Sequence, residues 1–336
     1  MAMVMMLLTH TFLSSSIAAE KQRLRLGYFP NITHAQAIIG VAQGAFQKNL
    51  GDNVQLEVKI FNAGPSVIEA IFARQLDIAY IGPSPAINGY VKSQGEALKI
   101  VAGAASGGAG LVVRRDAGIK TIQDFHAKKI ASPQLGNTQD VALRAWLKRQ
   151  GFRLAEHGGD VQVIPIQNPD QLTLFLKKEI DAAWTVEPWV TRLIREGSGT
   201  LYFDETSIWP EHKFVTANII VSTKFLNEHR DLVKKFIVTH VELTQWINSN
   251  LPEAKQIINS EIKRITTKAL PPEVLNESFS RITVTFNPIK KSLMTYAQWA
   301  FEQGFLGKTF PDLSKIYDLS ILNEALAALN LTNINE

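Results

Sequence analysis

The sequence predicts an α/β protein of two similar lobes with a cleft between them, and an internal repeat is the main reason. The stretch 62–83 runs from Asn-Ala-Gly-Pro to a short apolar segment that begins at Asp77, and 168–188 runs from Asn-Pro to a similar segment that begins at Asp181. In both copies the aspartate follows the first proline, Pro65 or Pro169, by twelve positions. A repeated loop, helix and buried strand indicates two α/β lobes, and clefts between lobes commonly hold small molecules.

The elements follow from hydrophobic periodicity. Alternating or continuous apolar residues predict strands, and apolar residues spaced three and four apart predict helices. The predicted strands are 24–28, 54–61, 77–81, 100–105, 111–113, 129–131, 161–166, 182–186 and 216–221; the predicted helices are 35–46, 66–74, 138–150, 171–178, 230–250, 252–264, 272–280, 289–303 and 319–329. Strands that alternate with helices predict a mostly parallel sheet in each lobe, flanked by helices, with a helical C-terminal region.

The order of these elements also predicts the lobe boundaries. The strand pattern restarts after about Ala117, and 216–221 reads as a strand that returns to the first lobe. We therefore expect lobe 1 to be discontinuous, with residues 20–113 and 216–336, and lobe 2 to span 114–215. The chain would cross between the lobes near 112–115 and near 213–217.

Composition excludes several classes of protein. The chain has 336 residues, no cysteine and a net charge of +4 without long runs of like charge, which gives no support for nucleic-acid binding. Disulfides, thiol catalysis, Cys-zinc sites and lipid attachment at a cysteine need a residue that the chain lacks. Its seven histidines show no metal-ligand spacing, and no nucleophile motif occurs. We predict no cofactor, no metal, no catalytic residue and no enzymatic activity.

The N-terminus has the pattern of a secretory signal peptide. An apolar stretch at 4–13 leads to the small residues 14–19 and then to Glu20 and Lys21. This predicts a signal peptide over residues 1–19, too short for a membrane span. A disordered apolar N-terminus stays an alternative, because no Lys or Arg precedes the apolar stretch.

Loops that lead into helices are the strongest candidates for binding. A helix N-terminus presents unpaired N–H groups and a partial positive charge, so it binds anions without arginine. Such loops occur at 31–34, 64–66, 82–84 and 134–138. Simple N-capping by Ser, Thr and Asn is the alternative for each loop.

Other features are weaker candidates. The glycine-rich stretch 106–110 could approach a ligand closely or serve only as a flexible crossing. Glu187, at a strand end, could contact a ligand or face water. The aromatic residues near loop ends could line the cleft or belong to the core; they are Tyr28, Tyr80, Trp184, Trp189 and Trp209.

Five segments, in order, resemble the nitrate/sulfonate/taurine family of substrate-binding proteins of bacterial ABC importers, most closely the aliphatic sulfonate-binding type. They are GYFPNITHA (27–35), FNAGP (61–65), LDIAYIGPSP (76–85), PQLGNT (133–138) and DAAWTVEPW (181–189). The resemblance implies the two-lobed type II periplasmic-binding-protein fold. It also implies a periplasmic, monomeric, non-lipidated protein that delivers a small organic anion to a membrane permease and its ATPase.

The resemblance places a ligand site between the lobes. The implied ligand-binding residues are Asn31, Thr33, His34, Gly64, Pro65, Ser66, Gly82, Pro83, Ser84, Ser106, Gly107, Gly108, Gln134, Gly136, Asn137, Thr138, Glu187 and Trp189. These loops contain no arginine for a bidentate grip on an oxyanion, which leaves helix dipoles and hydroxyl groups.

The expected cargo is an aliphatic sulfonate or taurine. Nitrate, a phosphonate or a thiamine-pyrimidine precursor would suit the same fold. A pyrimidine-synthase-like enzyme is less well supported, because that class uses a cysteine-rich motif and this chain has no cysteine.

Overall fold

The computed structural model describes residues 21–334, so the predicted signal peptide at 1–19 lies outside the described residues. The strands are β1 (Gln22–Tyr28), β2 (Val54–Ile60), β3 (Ile78–Ile81), β4 (Leu98–Gly107), β5 (Ala109–Arg114), β6 (Lys129–Ser132), β7 (Gln162–Pro165), β8 (Ala182–Val186), β9 (Gly199–Asp204), β10 (Val215–Ser222) and β11 (Ile282–Val284). The α-helices are α1 (Ala35–Ala42), α2 (Ala45–Leu50), α3 (Gly64–Phe72), α4 (Pro83–Lys92), α5 (Thr138–Arg149), α6 (Asn168–Leu176), α7 (Trp189–Arg195), α8 (Thr223–Glu228), α9 (Arg230–Ser249), α10 (Leu251–Thr266), α11 (Pro272–Ser280), α12 (Lys290–Glu302) and α13 (Ser320–Ala328).

The strands form two sheets, each with its own helices, and we call each such unit a lobe. The first sheet has the order β11-β4-β10-β3-β1-β2, and the second has the order β7-β6-β8-β5-β9. The α/β class is confirmed, and both sheets are mixed, with most strands of each sheet pointing the same way. β1 runs parallel to β2 and β3, and β6 to β7 and β8, whereas β10, β11, β5 and β9 pair antiparallel. Strands β5 and β10 enter their sheets from the other lobe rather than through a crossover helix, which is why their direction is reversed.

The chain leaves the first sheet at Gly107–Gly108. Both glycines have positive φ, 74° and 72°, and an added Cβ at Gly107 would lie 2.6 Å from the Arg281 carbonyl oxygen. The predicted crossing near 112–115, and with it the predicted boundary after residue 113, is wrong. All of β5 pairs with β8 and β9 in the second sheet, because the glycines supply the reversal earlier. The predicted return strand at 216–221 is confirmed as β10.

The repeated aspartates have the same structural role in both lobes. Asp77 accepts hydrogen bonds from the backbone N–H of Arg25 (2.8 Å) and from its guanidinium. Asp181 accepts from the backbone N–H of Lys129 (2.9 Å) and from the Arg114 guanidinium (3.2 Å). Each carboxylate therefore fixes the neighbouring parallel strand, which explains the repeat as a property of the fold.

The C-terminal helices join the lobes. One continuous apolar cluster contains residues of α4 in the first lobe, α5 in the second, and α12. At the α5–α12 contact, the Arg149 guanidinium lies 4.5 Å from the centre of the Trp299 ring. The five predicted C-terminal helices are confirmed as α9 to α13, within a few residues at each end.

Four of the five candidate aromatic residues belong to the core. Tyr28, Tyr80 and Trp184 are fully buried, and Trp209 packs on Phe214 at a ring separation of 5.4 Å. In the described part of the chain, no helix has the length and apolar character to cross a bilayer.

Candidate functional site

A small cavity lies between the lobes, at the carboxyl ends of β1, β3, β6 and β8. Its volume is about 20 Å³, room for one or two water molecules. We call it the inner cavity, and its lining residues are Phe29, Asn31, Thr33, His34, Asn62, Gly82, Pro133, Asn137, Gln139, Asn168, Val186 and Thr216. Among residues 21–334, no charged side chain belongs to this lining.

A larger cavity of about 330 Å³ adjoins the inner one and opens towards solvent. We call it the vestibule. It shares Phe29, Asn31, Asn62 and Asn168 with the inner cavity. Its remaining lining residues are Pro30, Pro169, Pro188, Trp189, Arg192, Ile262, Thr266, Lys268 and Leu270.

Several helix N-termini meet at the inner cavity. Asn31 precedes the short 3-10 turn (Ile32–His34) that leads into α1, Gly82 precedes α4, and Asn137 precedes α5. Asn168 is the first residue of α6, and Asn62 lies two residues before α3. The partial positive charges of these ends add together, so the cavity is electropositive without a formal cation.

Hydrogen bonds behind the lining orient two of its amides. The Trp189 indole N–H donates to Asn31 Oδ1 (3.1 Å), and the Thr185 hydroxyl donates to Asn168 Oδ1 (3.0 Å). Because both carbonyl oxygens are occupied in this way, the amide NH₂ groups of Asn31 and Asn168 remain to donate to a guest in the cavity.

His34 adds a third donor of fixed tautomer. Its Nδ1 accepts the backbone N–H of Phe29 (3.0 Å), so the ring hydrogen resides on Nε2. Burial lowers the pKa of His34 to about 3, and the ring is neutral near pH 7. His34 therefore offers the cavity a hydrogen-bond donor but no charge.

Direct contacts hold the lobes together around the cavity. The Trp189–Asn31 bond crosses from lobe 2 to lobe 1, and so does the bond between Asn62 Nδ2 and Gln167 Oε1 (3.1 Å). The backbone N–H of Ser84 donates to the Thr138 hydroxyl (3.3 Å). A Cβ at Gly82 would overlap that same hydroxyl, so close approach of the lobes requires glycine there.

The structure sorts the predicted site residues into three groups. Asn31, Thr33, His34, Gly82 and Asn137 line the inner cavity, and Trp189 lines the vestibule. The second group lies outside both linings, in the loops and helix starts beside the interlobe contacts; it comprises Gly64, Pro65, Ser66, Pro83, Ser84, Gln134, Gly136 and Thr138. The third group, Ser106, Gly107, Gly108 and Glu187, lines neither cavity.

In this third group, Gly107 and Gly108 form the crossing between the lobes, and the Glu187 carboxylate is hydrogen-bonded to other residues of the protein. Its carboxylate accepts from the Thr191 hydroxyl (2.8 Å), the Ser278 hydroxyl (2.9 Å) and the Arg281 guanidinium (2.8 Å). Burial raises the pKa of Glu187, although its bonds to Thr191 and its pairing with Arg281 oppose this. This carboxylate joins α7 to α11 and has no free oxygen to offer a ligand.

Sequence reasoning did not select Asn62 or Asn168 as site residues, although both line the two cavities. A signal for them was present, because each asparagine opens one copy of the internal repeat. Phe29, Pro133 and Val186 lie inside motif segments, whereas Gln139 and Thr216 carried no separate signal. The internal repeat thus places one asparagine from each lobe at the cavities.

A buried carboxylate at the second crossing was also missed. Glu205 accepts from the Trp184 indole (2.7 Å), the Trp209 indole (3.2 Å) and the Tyr296 hydroxyl (2.7 Å). Burial raises the pKa of Glu205 to about 7. Its partners come from β8, from the crossing segment itself and from α12, so this carboxylate ties both lobes to the crossing.

No group of three or more acidic or histidine side chains suited to a metal ion occurs in the described range 21–334. With neutral hydrogen-bond donors and mostly buried lining residues, the site is equipped to hold a small polar group.

Known proteins resemble this chain over most of its length. A Brucella abortus protein named only as a candidate binding protein is 28% identical over 273 residues, which cover 81% of each chain. The taurine-binding periplasmic protein of Escherichia coli is 22% identical over 309 residues, 89% of this chain and 93% of that one. The alkanesulfonate-binding protein SsuA of Xanthomonas axonopodis, solved with MOPS bound, has a TM-score of 0.71 at 18% identity and covers 88% of this chain and 97% of its own.

These similarities indicate the fold of the protein and its general role. The match to SsuA confirms the periplasmic-binding-protein fold, and the related proteins are binding components rather than enzymes. They support a solute-binding role in ABC import and leave the ligand open. The profile of the NMT1-like family matches residues 17–262, more than half of the sequence, and the chain belongs to that family.

Proposed function

We propose that this protein is the periplasmic binding component of an ABC importer and captures a small organic anion, an aliphatic sulfonate or taurine, between its lobes. The observation that carries the proposal is the inner cavity, whose lining offers hydrogen-bond donors and, within residues 21–334, no charged side chain. The amides of Asn31 and Asn168 and the Nε2–H of His34 supply these donors. A guest that presents several acceptor oxygens and no donor complements them.

The electrostatics of the cavity support an oxyanion. Helix N-termini surround it, and no carboxylate belongs to its lining within residues 21–334. Nitrate is the second candidate, since a compact ion suits an inner cavity of about 20 Å³ better than a larger molecule does.

The ligand is captured by closure of the lobes, and no chemical reaction is needed. A sulfonate group is larger than one or two water molecules, so the lobes must stand further apart when it binds. The interlobe bonds Asn62–Gln167 and Ser84–Thr138 must then lengthen. Binding then shifts the equilibrium between open and closed forms, and the closed form is the one delivered to a permease and its ATPase. The protein would act as a monomer, exported by residues 1–19.

Calorimetric titration tests this proposal directly. We expect methanesulfonate or a longer alkanesulfonate to bind the purified protein. Replacing His34 by leucine should weaken binding by about 1–3 kcal/mol, because a buried donor to the anion is lost. The control is His157→Leu, since the His157 side chain is exposed and lines neither cavity. Absence of binding by every sulfonate, or equal affinity for the protein and His34→Leu, would contradict the proposal.

Acidification should not strengthen anion binding over the mildly acidic range. His34 has a pKa of about 3, so it stays neutral between about pH 8 and pH 6. An exposed histidine would gain its charge in this range and attract the anion. We therefore expect the dissociation constant of an alkanesulfonate, whose charge does not change, to stay within about twofold by calorimetry at both pH values. A steep gain in affinity on acidification would show that His34 titrates in the site.

A further inference from the structure

The vestibule continues the inner cavity and differs from it in chemistry. Four residues line both, so a ligand whose head occupies the inner cavity would extend directly into the vestibule. The vestibule floor is apolar and rigid: Phe29, Ile262 and Leu270 are each at most 6% exposed. Proline rings at 30, 169 and 188 and the Trp189 ring complete its walls.

The size of the vestibule sets the scale of what it could hold. Its volume is about 330 Å³, roughly twice the ~150 Å³ of a protein cavity that encloses one benzene molecule. A lone nitrate or a methyl group would leave this apolar surface in contact with water. An apolar chain or a ring would cover it and gain from the burial.

Cationic groups lie at the vestibule, and none of its lining residues within 21–334 is acidic. The Arg192 guanidinium lies 4.5 Å from the centre of the Trp189 ring, and exposed Lys268 stands at the mouth. Glu196, behind the lining, pairs closely with Arg192 (2.7 Å) and more distantly with Lys268 (3.7 Å). One carboxylate for two cations leaves the mouth with a net positive charge.

We propose that the cargo is a sulfonate with an uncharged, apolar tail of about four or more carbon atoms or an aromatic ring, and that the vestibule selects against a tail that ends in an ammonium group. This inference rests on the proposed function and narrows it. The sulfonate head occupies the inner cavity, and the tail lies on Phe29, Ile262 and Leu270. An ammonium tail, as in taurine, would meet Lys268 and Arg192 without a free carboxylate to pair with.

Two matched ligand pairs test the proposal by calorimetry on the purified protein. The first compares 1-hexanesulfonate with methanesulfonate, and we expect the longer ligand to bind at least tenfold more tightly. The second compares 1-propanesulfonate with taurine, which have nearly the same shape but differ by one positive charge. We expect taurine to bind at least tenfold more weakly.

Two variants assign these differences to the vestibule. Leu270→Ala should reduce the advantage of hexanesulfonate over methanesulfonate at least threefold. Lys268→Glu should narrow the gap between taurine and propanesulfonate, and Lys263→Glu, an exposed change on the same stretch of chain, should not.

The outcomes separate this inference from the proposed function. If methanesulfonate binds as tightly as hexanesulfonate, or taurine as tightly as propanesulfonate, the inference is overturned and the sulfonate site stands. If Leu270→Ala weakens both members of the first pair equally, the tail does not lie in the vestibule. If no sulfonate binds, the proposed function fails and the inference fails with it.

Discussion

Replacing Asn168 by aspartate should abolish anion binding, with an affinity loss of at least about 100-fold, or roughly 3 kcal/mol. The substitution keeps the shape of the side chain and its bond to the Thr185 hydroxyl. It replaces a donor NH₂ group with a second carboxylate oxygen in a buried site. The new negative charge would face the bound anion across a few ångströms of low-dielectric space, where repulsion between like charges is strong. Calorimetric titration with an alkanesulfonate measures the loss.

Asn276→Asp is the matched control, because it makes the same chemical change on the exposed surface of α11. It should leave the affinity within about twofold, since exposed charges are screened by water and salt. Binding by Asn168→Asp at near-normal affinity would mean that the side chain does not meet the anion. Equal losses in both variants would point to long-range charge instead of contact.

The largest effect on stability is expected at Arg281. Its guanidinium pairs with Glu187 (2.8 Å) and Glu277 (2.6 Å), and Glu187 is fully buried. Arg281→Ala leaves the Glu187 carboxylate buried without its cation. We expect the free energy of unfolding to fall by about 3–5 kcal/mol, as is usual when one partner of a buried ion pair is removed. Urea denaturation followed by circular dichroism would measure the change.

The dependence of this loss on pH identifies its cause. Burial already raises the pKa of Glu187, and removal of Arg281 should raise it further. A carboxyl whose pKa is raised on folding costs stability at any pH above its unfolded-state pKa, and this cost grows with pH until the folded-state pKa is reached. The deficit of Arg281→Ala should therefore shrink as the pH falls from about 7 to 5, by up to about 1.4 kcal/mol per unit.

A surface arginine supplies the comparison for Arg281. Arg195 pairs with the same Glu277 (2.7 Å), but its side chain is 55% exposed. Arg195→Ala should cost less than about 1 kcal/mol. Adding Glu187→Gln to Arg281→Ala should recover part of the lost stability, because the unpaired charge disappears. Similar losses in the two arginine variants, or a deficit that does not change with pH, would refute the role assigned to this ion pair.

Local signals in the sequence predicted most of the elements but missed α4, α7, α8, β9 and β11, and they did not give all of the strand partners. Periodicity was sufficient for the C-terminal helices α9 to α13, where apolar residues follow the helical repeat. It could not give the direction of β5 and β10. The direction of β5 depends on the crossing at Gly107 and Gly108, and that of β10 on the second crossing after β9; neither crossing leaves a mark on the hydrophobic pattern.

The candidate site residues likewise divide into those that local sequence signals could select and those that they could not. Asn31, His34, Gly82 and Asn137 precede or open helices, so the general rule that helix N-termini attract anions was enough to select them. That rule does not bear on Glu187, which looks in the sequence like a free carboxylate at a strand end. Its partner Arg281 lies 94 positions away and gives no local sign of the contact.

By itself, the sequence determined the α/β class, the repeated unit, the helix-start loops and the family, because each depends on neighbours along the chain. The tertiary structure alone decided which amides face the cavity, which carboxylates are held inside the protein, and how an uncharged inner cavity opens into an apolar vestibule. The physical reason is that these properties arise from contacts between lobes that are far apart in sequence. A hydrogen bond such as Trp189 to Asn31 orients a donor only when both lobes are in place.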